Sequence, residues 1–134
     1  MNQKQQDDIL YGEMEEDRLI DILNEKWNTN IKKLPSNHPL DFISGDGSFY
    51  IEIKARRNNY NKYPTTMIGY NKIKYAQYSN KKVFFLFSFN DGMYQYEYNK
   101  NDKLIKAPGG RWDRGRSEVT DYIYIPIEKL VKID

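Results

Sequence analysis

The sequence predicts a mixed α/β fold in which helices flank a central sheet. Apolar residues at three- and four-residue steps in residues 13–27 indicate a helix. Residues 49–55 alternate between polar and apolar, and residues 83–89 are almost continuously apolar, which indicates one half-covered and one fully buried strand. Because helices and strands alternate along the chain, a mixed sheet covered by helices is the natural packing.

The first helix is predicted over residues 13–27, EMEEDRLIDILNEKW. Its apolar stripe consists of Leu19, Ile20, Leu23 and Trp27. Glu16 lies on the same stripe, whereas Glu15 and Asp17 are predicted to point away. A carboxylate on the inward face is costly unless it meets a cation or hydrogen-bond donors. The alternative is that Glu16 lies in the exposed first turn, where the helix dipole favours an acid.

A hairpin is predicted after this helix. Short strands are expected at about residues 31–34, 40–44 and 49–55. Asp46-Gly47 is typical of a type I′ turn, which needs a positive φ at both central residues. A four-residue loop closed by Ser44 and Phe49 would give the same cross-strand pairs. The register of the hairpin therefore does not depend on which turn forms.

This register places two carboxylates opposite each other, because Asp41 faces Glu52. Lys54 shares their face, and the opposite face is apolar, with Leu40, Phe42, Phe49, Ile51 and Ile53. Two carboxylates about 4 Å apart repel by about 4 kcal/mol at an effective dielectric constant near 20. Lys54 or a divalent cation could offset this repulsion, and Mg²⁺ prefers one or two carboxylates. The simpler alternative is a solvent-exposed strand face with a local Glu52–Lys54 ion pair.

The second half of the chain is predicted to alternate in the same way. A Tyr- and Lys-rich helix is expected at about 69–79, and strands at 83–89, 93–98 and 119–125. Asp91-Gly92 turns the second of these strands back as an antiparallel partner of the first. Pro126 ends the last strand.

Length and composition narrow the function classes. The 134 residues predict a single domain, residues 1–134, with an ordinary core. The chain has no cysteine and a single histidine, His38, which excludes thiolate catalysis and His-rich metal sites, so that any metal would be a hard cation held by oxygen. No signal-peptide pattern and no membrane-spanning run is present, and the sequence predicts a cytoplasmic, intracellular protein that does not bind a membrane.

Charge is segregated along the chain although the net charge is only +2. Residues 7–25 carry eight acids and one base, whereas residues 53–90 carry eight bases and no acid. Five tyrosines are interleaved with these bases, which favours nucleic acid as a partner. A basic loop follows later in the chain, with Arg111, Arg114 and Arg116. The simpler alternative for both segments is a solvated surface.

Three segments together carry a resemblance to a known family: GEMEE (12–16) at a helix start, HPLDF (38–42) and IEIKAR (51–56). They resemble the PD-(D/E)XK nuclease superfamily, and are most similar to its Holliday-junction-resolvase and small phage or viral nuclease branches. The usual Pro-Asp pair is replaced here by Pro39-Leu40-Asp41. The resemblance implies a restriction-endonuclease-like core and an origin in a phage or virus.

The resemblance also implies the roles of the site residues. Asp41, Glu52 and the backbone carbonyl of Ile53 would bind Mg²⁺, with Mn²⁺ as a substitute. Lys54 would position or help to deprotonate the attacking water and stabilise charge on the phosphate. Glu16 would hold a second metal or its water. The implied catalytic set is therefore Glu16, Asp41, Glu52 and Lys54.

The expected function is that of a Mg²⁺-dependent DNA nuclease, an endonuclease acting on structured or branched DNA. RNA remains open as a substrate, and concerted cutting of two strands would require a homodimer. The expected nucleic-acid-binding residues are Arg56, Arg57, Lys72, Lys74, Arg111, Arg114 and Arg116. The alternatives are a non-catalytic module of the same fold that binds nucleic acid or a protein partner, and a structural protein with a fortuitous charged hairpin.

Overall fold

The computed structural model describes residues 2–109 and 120–133. The helices are α1 (Gln3–Lys26) and α2 (Tyr70–Tyr78), with a short 3-10 helix at Ile127–Lys129. The strands are β1 (Lys32–Lys33), β2 (Phe42–Ile43), β3 (Phe49–Ala55), β4 (Thr65–Gly69), β5 (Lys82–Phe89), β6 (Gly92–Glu97), β7 (Ile105–Gly109), β8 (Thr120–Pro126) and β9 (Val131–Lys132). The order of the elements confirms the predicted mixed α/β class.

The strands of the described part form two sheets. The larger sheet has the order β1-β2-β3-β5-β6-β9, and the smaller has the order β4-β8-β7. In the larger sheet β3 and β5 are parallel and the other neighbours are antiparallel, as predicted for a mixed sheet. The smaller sheet is antiparallel, and the sequence analysis did not foresee it.

Strand β3 lies inside the larger sheet, between β2 and β5. Its predicted bounds, 49–55, match the structure. Strand β5 has buried residues from Phe85 to Phe89 without interruption, because its apolar run is covered on both faces. The Asp91-Gly92 turn joins β5 to its antiparallel partner β6, again as predicted.

The predicted hairpin register is confirmed, since Phe42 pairs with Ile51 and Ile43 pairs with Tyr50. The turn is the four-residue loop, because the Ser44 amide donates to the Phe49 carbonyl at 2.9 Å. Of the two central residues of the proposed type I′ turn, Gly47 alone has a positive φ, +74°. The type I′ alternative is therefore wrong, and the register survives because both turns close on the same pair.

Asp46 organises this loop with its side chain. Its carboxylate Oδ1 accepts hydrogen bonds from the hydroxyl of Ser44 at 2.8 Å and from the hydroxyl and amide of Ser48 at 2.7 and 3.0 Å. These bonds, with that from the Ser48 hydroxyl the largest, lower the pKa of Asp46 to about 2. The carboxylate thus caps donors that the tight loop would otherwise leave without a partner.

Helix α1 begins ten residues before its predicted start. Asn2 and Gln5 form a capping box, each side chain accepting the backbone amide of the other at 2.8 and 2.9 Å. The sequence prediction missed this turn because residues 3–12 lack an apolar stripe. Glu16 is consequently in the middle of the helix, and the alternative that it lies in an exposed first turn is wrong.

Two buried clusters cover the two faces of the larger sheet. The cluster on the α1 side includes Leu19, Leu23, Phe42, Ile51, Ile53 and Leu86. The cluster on the α2 side includes Leu40, Ile68, Ile73, Phe85 and Phe87. The predicted placement of Leu40 beside Phe42 is wrong, because β2 begins only at Phe42 and the alternation of a strand does not extend back to residue 40.

Trp27 closes the α1 side at the start of β3. Its ring centroid lies 5.7 Å from that of Phe49 and 5.7 Å from that of Phe84. Phe49 and Phe84 also meet edge to face at 5.4 Å. This aromatic cluster fixes the first residue of β3 against the end of the helix.

Among the described residues, no helix combines the length and apolar character needed to cross a membrane.

Candidate active site

Glu52 lies on β3 in the interior of the larger sheet, with 0% of its surface exposed. Neither of its carboxylate oxygens forms a hydrogen bond with the described residues. Burial raises the pKa of Glu52 to about 7, the charge of Lys54 opposes this rise, and the nearby Asp41 adds to it. The alternative of a solvent-exposed strand face is therefore wrong for Glu52, although the local ion pair with Lys54 that it included is present.

Asp41 lies beside Glu52, as the register predicted. Strand β2 begins one residue later, so the amide of Ile53 is not bonded to β2. That amide instead donates to Oδ2 of Asp41 at 3.3 Å, which anchors the carboxylate next to β3. After burial, the negative charge of Asp41 is a further cause of the raised pKa of Glu52. The carbonyl of Ile53 as a metal ligand stays a prediction.

Two ammonium groups approach the same oxygen of Glu52. Lys54 Nζ is 3.4 Å from Oε2, as expected for neighbours on one strand face. Lys72 Nζ is 3.7 Å from Oε2 and also donates to the backbone carbonyl of Pro39. The sequence analysis assigned Lys72 only to nucleic-acid binding, because nothing in a sequence shows that the first turn of α2 lies over β3.

Glu16 faces the same region from α1 and is half-buried. Burial raises its pKa, and the negative charge of Asp41 raises it further, while Lys33 and Lys54 lower it. The inward placement that the apolar stripe favoured is thus the one observed. The sequence therefore predicted the inward position of this acid, and its role at a metal stays a prediction.

Glu15 corrects the prediction that it points away from the protein. Its Oε2 accepts a hydrogen bond from the hydroxyl of the buried Ser88 at 2.7 Å and forms an ion pair with Arg18 at 2.8 Å. The hydrogen bond from Arg18 lowers the pKa of Glu15. The residue tethers the middle of α1 to β5, a contact that helical periodicity could not show because Ser88 is distant in sequence.

A groove of about 1000 Å³ lies directly above these residues. Its lining includes Glu16, Lys54, Arg57, Lys72 and Lys74, contributed by α1, the end of β3 and α2. The predicted catalytic acids, Asp41 just before β2 and Glu52 on β3, are not among its lining residues, although Ile53 and Lys54 are. Five basic residues and three acids, Asp8, Glu16 and Asp121, line the groove, so its lining has an excess of positive charge, which suits an anionic polymer.

The predicted phosphate-binding arginines differ in how they are held. Arg56 Nη2 donates to the Met67 carbonyl at 2.5 Å, and burial lowers its pKa, so this guanidinium links β3 to β4 within the groove wall. Arg57 is exposed; its guanidinium lies 4.2 Å from the centre of the Tyr11 ring and 3.3 Å from Asp8. The predicted Arg111, Arg114 and Arg116 lie outside the described residues.

The chemistry of the donors fits a hard divalent cation. In the described ranges, 2–109 and 120–133, no three acidic or histidine side chains converge as a metal cluster. The pair Asp41 and Glu52 is nevertheless what Mg²⁺ uses when it keeps several waters. The two oxygens of Glu52, buried without hydrogen bonds, are the decisive feature, because such a carboxylate is costly unless a cation neutralises it.

Comparison with known families agrees with this geometry. A family model described as "phage putative PDDEXK endonuclease" matches residues 11–133. The chain belongs to this family. The match spans α1, the acidic centre and both sheets, and PDDEXK proteins are nucleases that generally use divalent metals. Nuclease activity is therefore supported for this chain at the level of its family.

A solved structure is also similar. The Holliday junction resolvase Hjc from the archaeal hyperthermophile Archaeoglobus fulgidus matches with a TM-score of 0.50 and 14% sequence identity, over 84% of this chain and 86% of that chain. At this identity the similarity concerns the fold, and it confirms the predicted restriction-endonuclease-like core. No curated protein gives a significant match.

Proposed function

We propose that this PDDEXK family member is a Mg²⁺-dependent DNA nuclease whose reaction centre consists of Asp41, Glu52 and Lys54 below the groove. The observation that carries the proposal is the carboxylate of Glu52, which is completely buried, accepts no hydrogen bond from the described residues and lies beside a second acid. Lys54 and Lys72 offset part of its charge, but burial still raises its pKa, so the charged form is costly in the metal-free protein. A nuclease gains a binding site for a cation next to a cationic groove.

Phosphodiester hydrolysis has two physical requirements. Water must be made nucleophilic enough to attack phosphorus, and the charge that develops on the phosphate oxygens must be neutralised. Asp41, Glu52 and the carbonyl of Ile53 would hold the divalent cation, which supplies Lewis acidity when bound. The water oxygen bonds to phosphorus, one ester P–O bond breaks, and the leaving oxygen takes up a proton.

Lys54 and Glu16 act on the two sides of this centre. The ammonium of Lys54 opens to the groove with its side chain 39% exposed, so it can donate to a phosphate oxygen or hold the attacking water. Glu16 faces the centre from α1, and we assign to it a second metal or the water bound to it. Because burial and Asp41 raise the pKa of Glu16, its charged form would be stabilised by a cation bound nearby.

The groove suggests how DNA would be bound. Arg57 and Lys74 line it and are exposed. Lys74 could bind the phosphate backbone without reading sequence, and Arg57 could do so by exchanging its ion pair with Asp8. The predicted loop arginines Arg111, Arg114 and Arg116 would add to this binding. We propose structured or branched DNA as the substrate, on the basis of the resolvase-like fold. Cutting two strands in concert would require two copies of the chain.

A cleavage panel tests the proposal. Single-stranded, duplex, flapped and four-way DNA, and an RNA duplex, are incubated with the wild type and with Glu52→Ala, in Mg²⁺ or Mn²⁺. We expect metal-dependent cleavage by the wild type and none by the variant. Glu97→Ala is the matched control, because Glu97 is also a strand glutamate but is exposed on β6. DNA binding without cleavage would instead favour the non-catalytic module.

A further inference from the structure

We propose that Lys72 is an internal counter-cation of this centre: it neutralises Glu52 in the metal-free protein and binds a substrate phosphate once Glu52 holds a metal. The inference rests on the proposed function and adds a coupling to it. Metal binding and DNA binding would each strengthen the other through this one side chain.

The contacts of Lys72 are those that a hard cation would make. Among the described residues, its ammonium lies near two oxygens, Oε2 of Glu52 at 3.7 Å and the carbonyl oxygen of Pro39. Pro39 is two residues before Asp41, so the ammonium lies between the backbone leading to one acid and the carboxylate of the other. This position is where a positive charge best offsets the buried pair.

Lys72 differs from Lys54 in how deeply it is held. The side chain of Lys72 is 22% exposed, against 39% for Lys54, and it enters from α2 rather than from the strand that carries Glu52. Lys72 nevertheless lines the groove. Its four-carbon stem is flexible, so the ammonium can exchange the carboxylate for a phosphate in the groove without movement of the helix.

The charges explain why the exchange would be coupled to metal. When Glu52 is ionised, Asp41 and Glu52 carry two negative charges, and the ammonium groups of Lys54 and Lys72 offset them at 3.4 and 3.7 Å from Glu52, with the carboxyl group of Glu16 facing the same centre. A divalent cation at the acids leaves an excess of positive charge, which repels the ammonium of Lys72 from Glu52. A phosphodiester, with one negative charge, then offers Lys72 a better partner than the metal-bound carboxylate.

The opposing interpretation is that Lys72 only pins α2 to the segment before β2. In that case, substituting Lys72 would destabilise the protein and would not change its metal affinity in a defined direction. The neighbouring Lys74 is the matched control, since it is on the same helix and lines the same groove but is exposed. Lys72→Gln removes the positive charge but keeps a hydrogen-bond donor, because the Gln amide can still donate to the Pro39 carbonyl.

The test measures binding rather than turnover. Ca²⁺ and Mg²⁺ affinities are measured by calorimetry for the wild type, Lys72→Met, Lys72→Gln and Lys74→Met, with circular dichroism to confirm folding. Affinity for a fluorescein-labelled duplex and a four-way junction is measured by anisotropy with and without Ca²⁺, with gels to confirm intact DNA.

We expect both Lys72 variants to bind metal about tenfold more tightly without DNA, because a competing charge is gone. We also expect them to lose most of the metal-induced gain in DNA affinity. Lys74→Met should bind DNA more weakly with and without Ca²⁺, at unchanged metal affinity. Unchanged or weaker metal binding by both Lys72 variants would overturn the inference and leave the proposed nuclease standing. A wild type that binds neither metal nor DNA would overturn both.

Discussion

Asp46 and Glu52 are two carboxylates of one hairpin, and their surroundings are opposite. Asp46, at the turn, accepts hydrogen bonds from Ser44 and Ser48, and its pKa is lowered to about 2. Glu52, six residues later, is buried without a hydrogen bond, and its pKa is raised to about 7. The described residues supply hydrogen-bond donors to Asp46, whereas at Glu52 they place two ammonium groups at 3.4 and 3.7 Å without a hydrogen bond.

The difference separates what stabilises the fold from what is kept for chemistry. Serine hydroxyls and amides satisfy the turn acid permanently, and the loop is more ordered for it. The two partners of Glu52 are flexible lysines that line a groove and can leave. A carboxylate with only replaceable partners is costly for stability and well suited to binding a cation.

The largest expected effect is a difference in cleavage rate between a variant of Asp41 and a variant of Asp46. We expect Asp41→Asn to lower the cleavage rate at least about a hundredfold, because losing one metal-binding carboxylate removes several kcal/mol of transition-state stabilisation. Asp46→Asn should cleave as the wild type does. The measurement is the initial rate on the best substrate at saturating Mg²⁺. Equal losses in both variants would mean that the hairpin acts only as a scaffold.

The sequence could predict the features of this hairpin that depend on neighbouring residues. The bounds of β3, its register with β2 and the meeting of Asp41 with Glu52 depend on alternation and a short turn, which are visible within twenty residues. The burial of Glu52 depends on β5 and α2, which pack on β3 from distant parts of the chain. The contact of Lys72 with Glu52 could not be predicted for the same reason, and its role in binding nucleic acid stays a prediction.

The elements that the sequence analysis missed have weak local signals. Strands β7 and β9 are short and mostly exposed, so they show little alternation between buried and exposed positions. Strand β4 follows a Tyr-rich segment, and the alternation between its buried and half-buried residues becomes clear only when it is paired with β8. The early start of α1 depends on a capping box rather than on apolar periodicity.

A smaller effect should appear in stability without metal. In EDTA at alkaline pH, we expect Glu52→Gln to raise the free energy of unfolding by about 1–3 kcal/mol, because it removes a buried charge that lacks hydrogen bonds. Because the pKa of Glu52 is raised in the folded protein, the contribution of this residue to stability is complete below about 4.5 and is lost as the pH rises through about 7. The gain of the variant should therefore vanish in acid.

Denaturation across this pH range checks the prediction, and metal provides the control. Saturating Mg²⁺ should stabilise the wild type by about 2.7 kcal/mol at a hundredfold excess over Kd, and the Gln variant by much less. A variant that is less stable than the wild type in EDTA would show that the ion pairs with Lys54 and Lys72 outweigh the cost of burial.

The smallest effect should have the opposite pH dependence. The lowered pKa of Asp46 means that its contribution is present above about 3.8 and is lost as the pH falls through about 2. We expect Asp46→Asn to be slightly less stable than the wild type at neutral pH and equal to it in strong acid. Urea denaturation curves at both pH values measure this. A difference independent of pH would assign the effect to the shape of the side chain.

The aromatic cluster at the start of β3 provides an optical reporter for the strand that carries the reaction centre. Trp27 packs on Phe49, the first residue of that strand, and the other tryptophan of the chain is Trp112. A Trp112→Phe protein would therefore emit from a single indole whose surroundings change when β3 separates from α1. Its fluorescence would follow the unfolding of this strand directly, without any label.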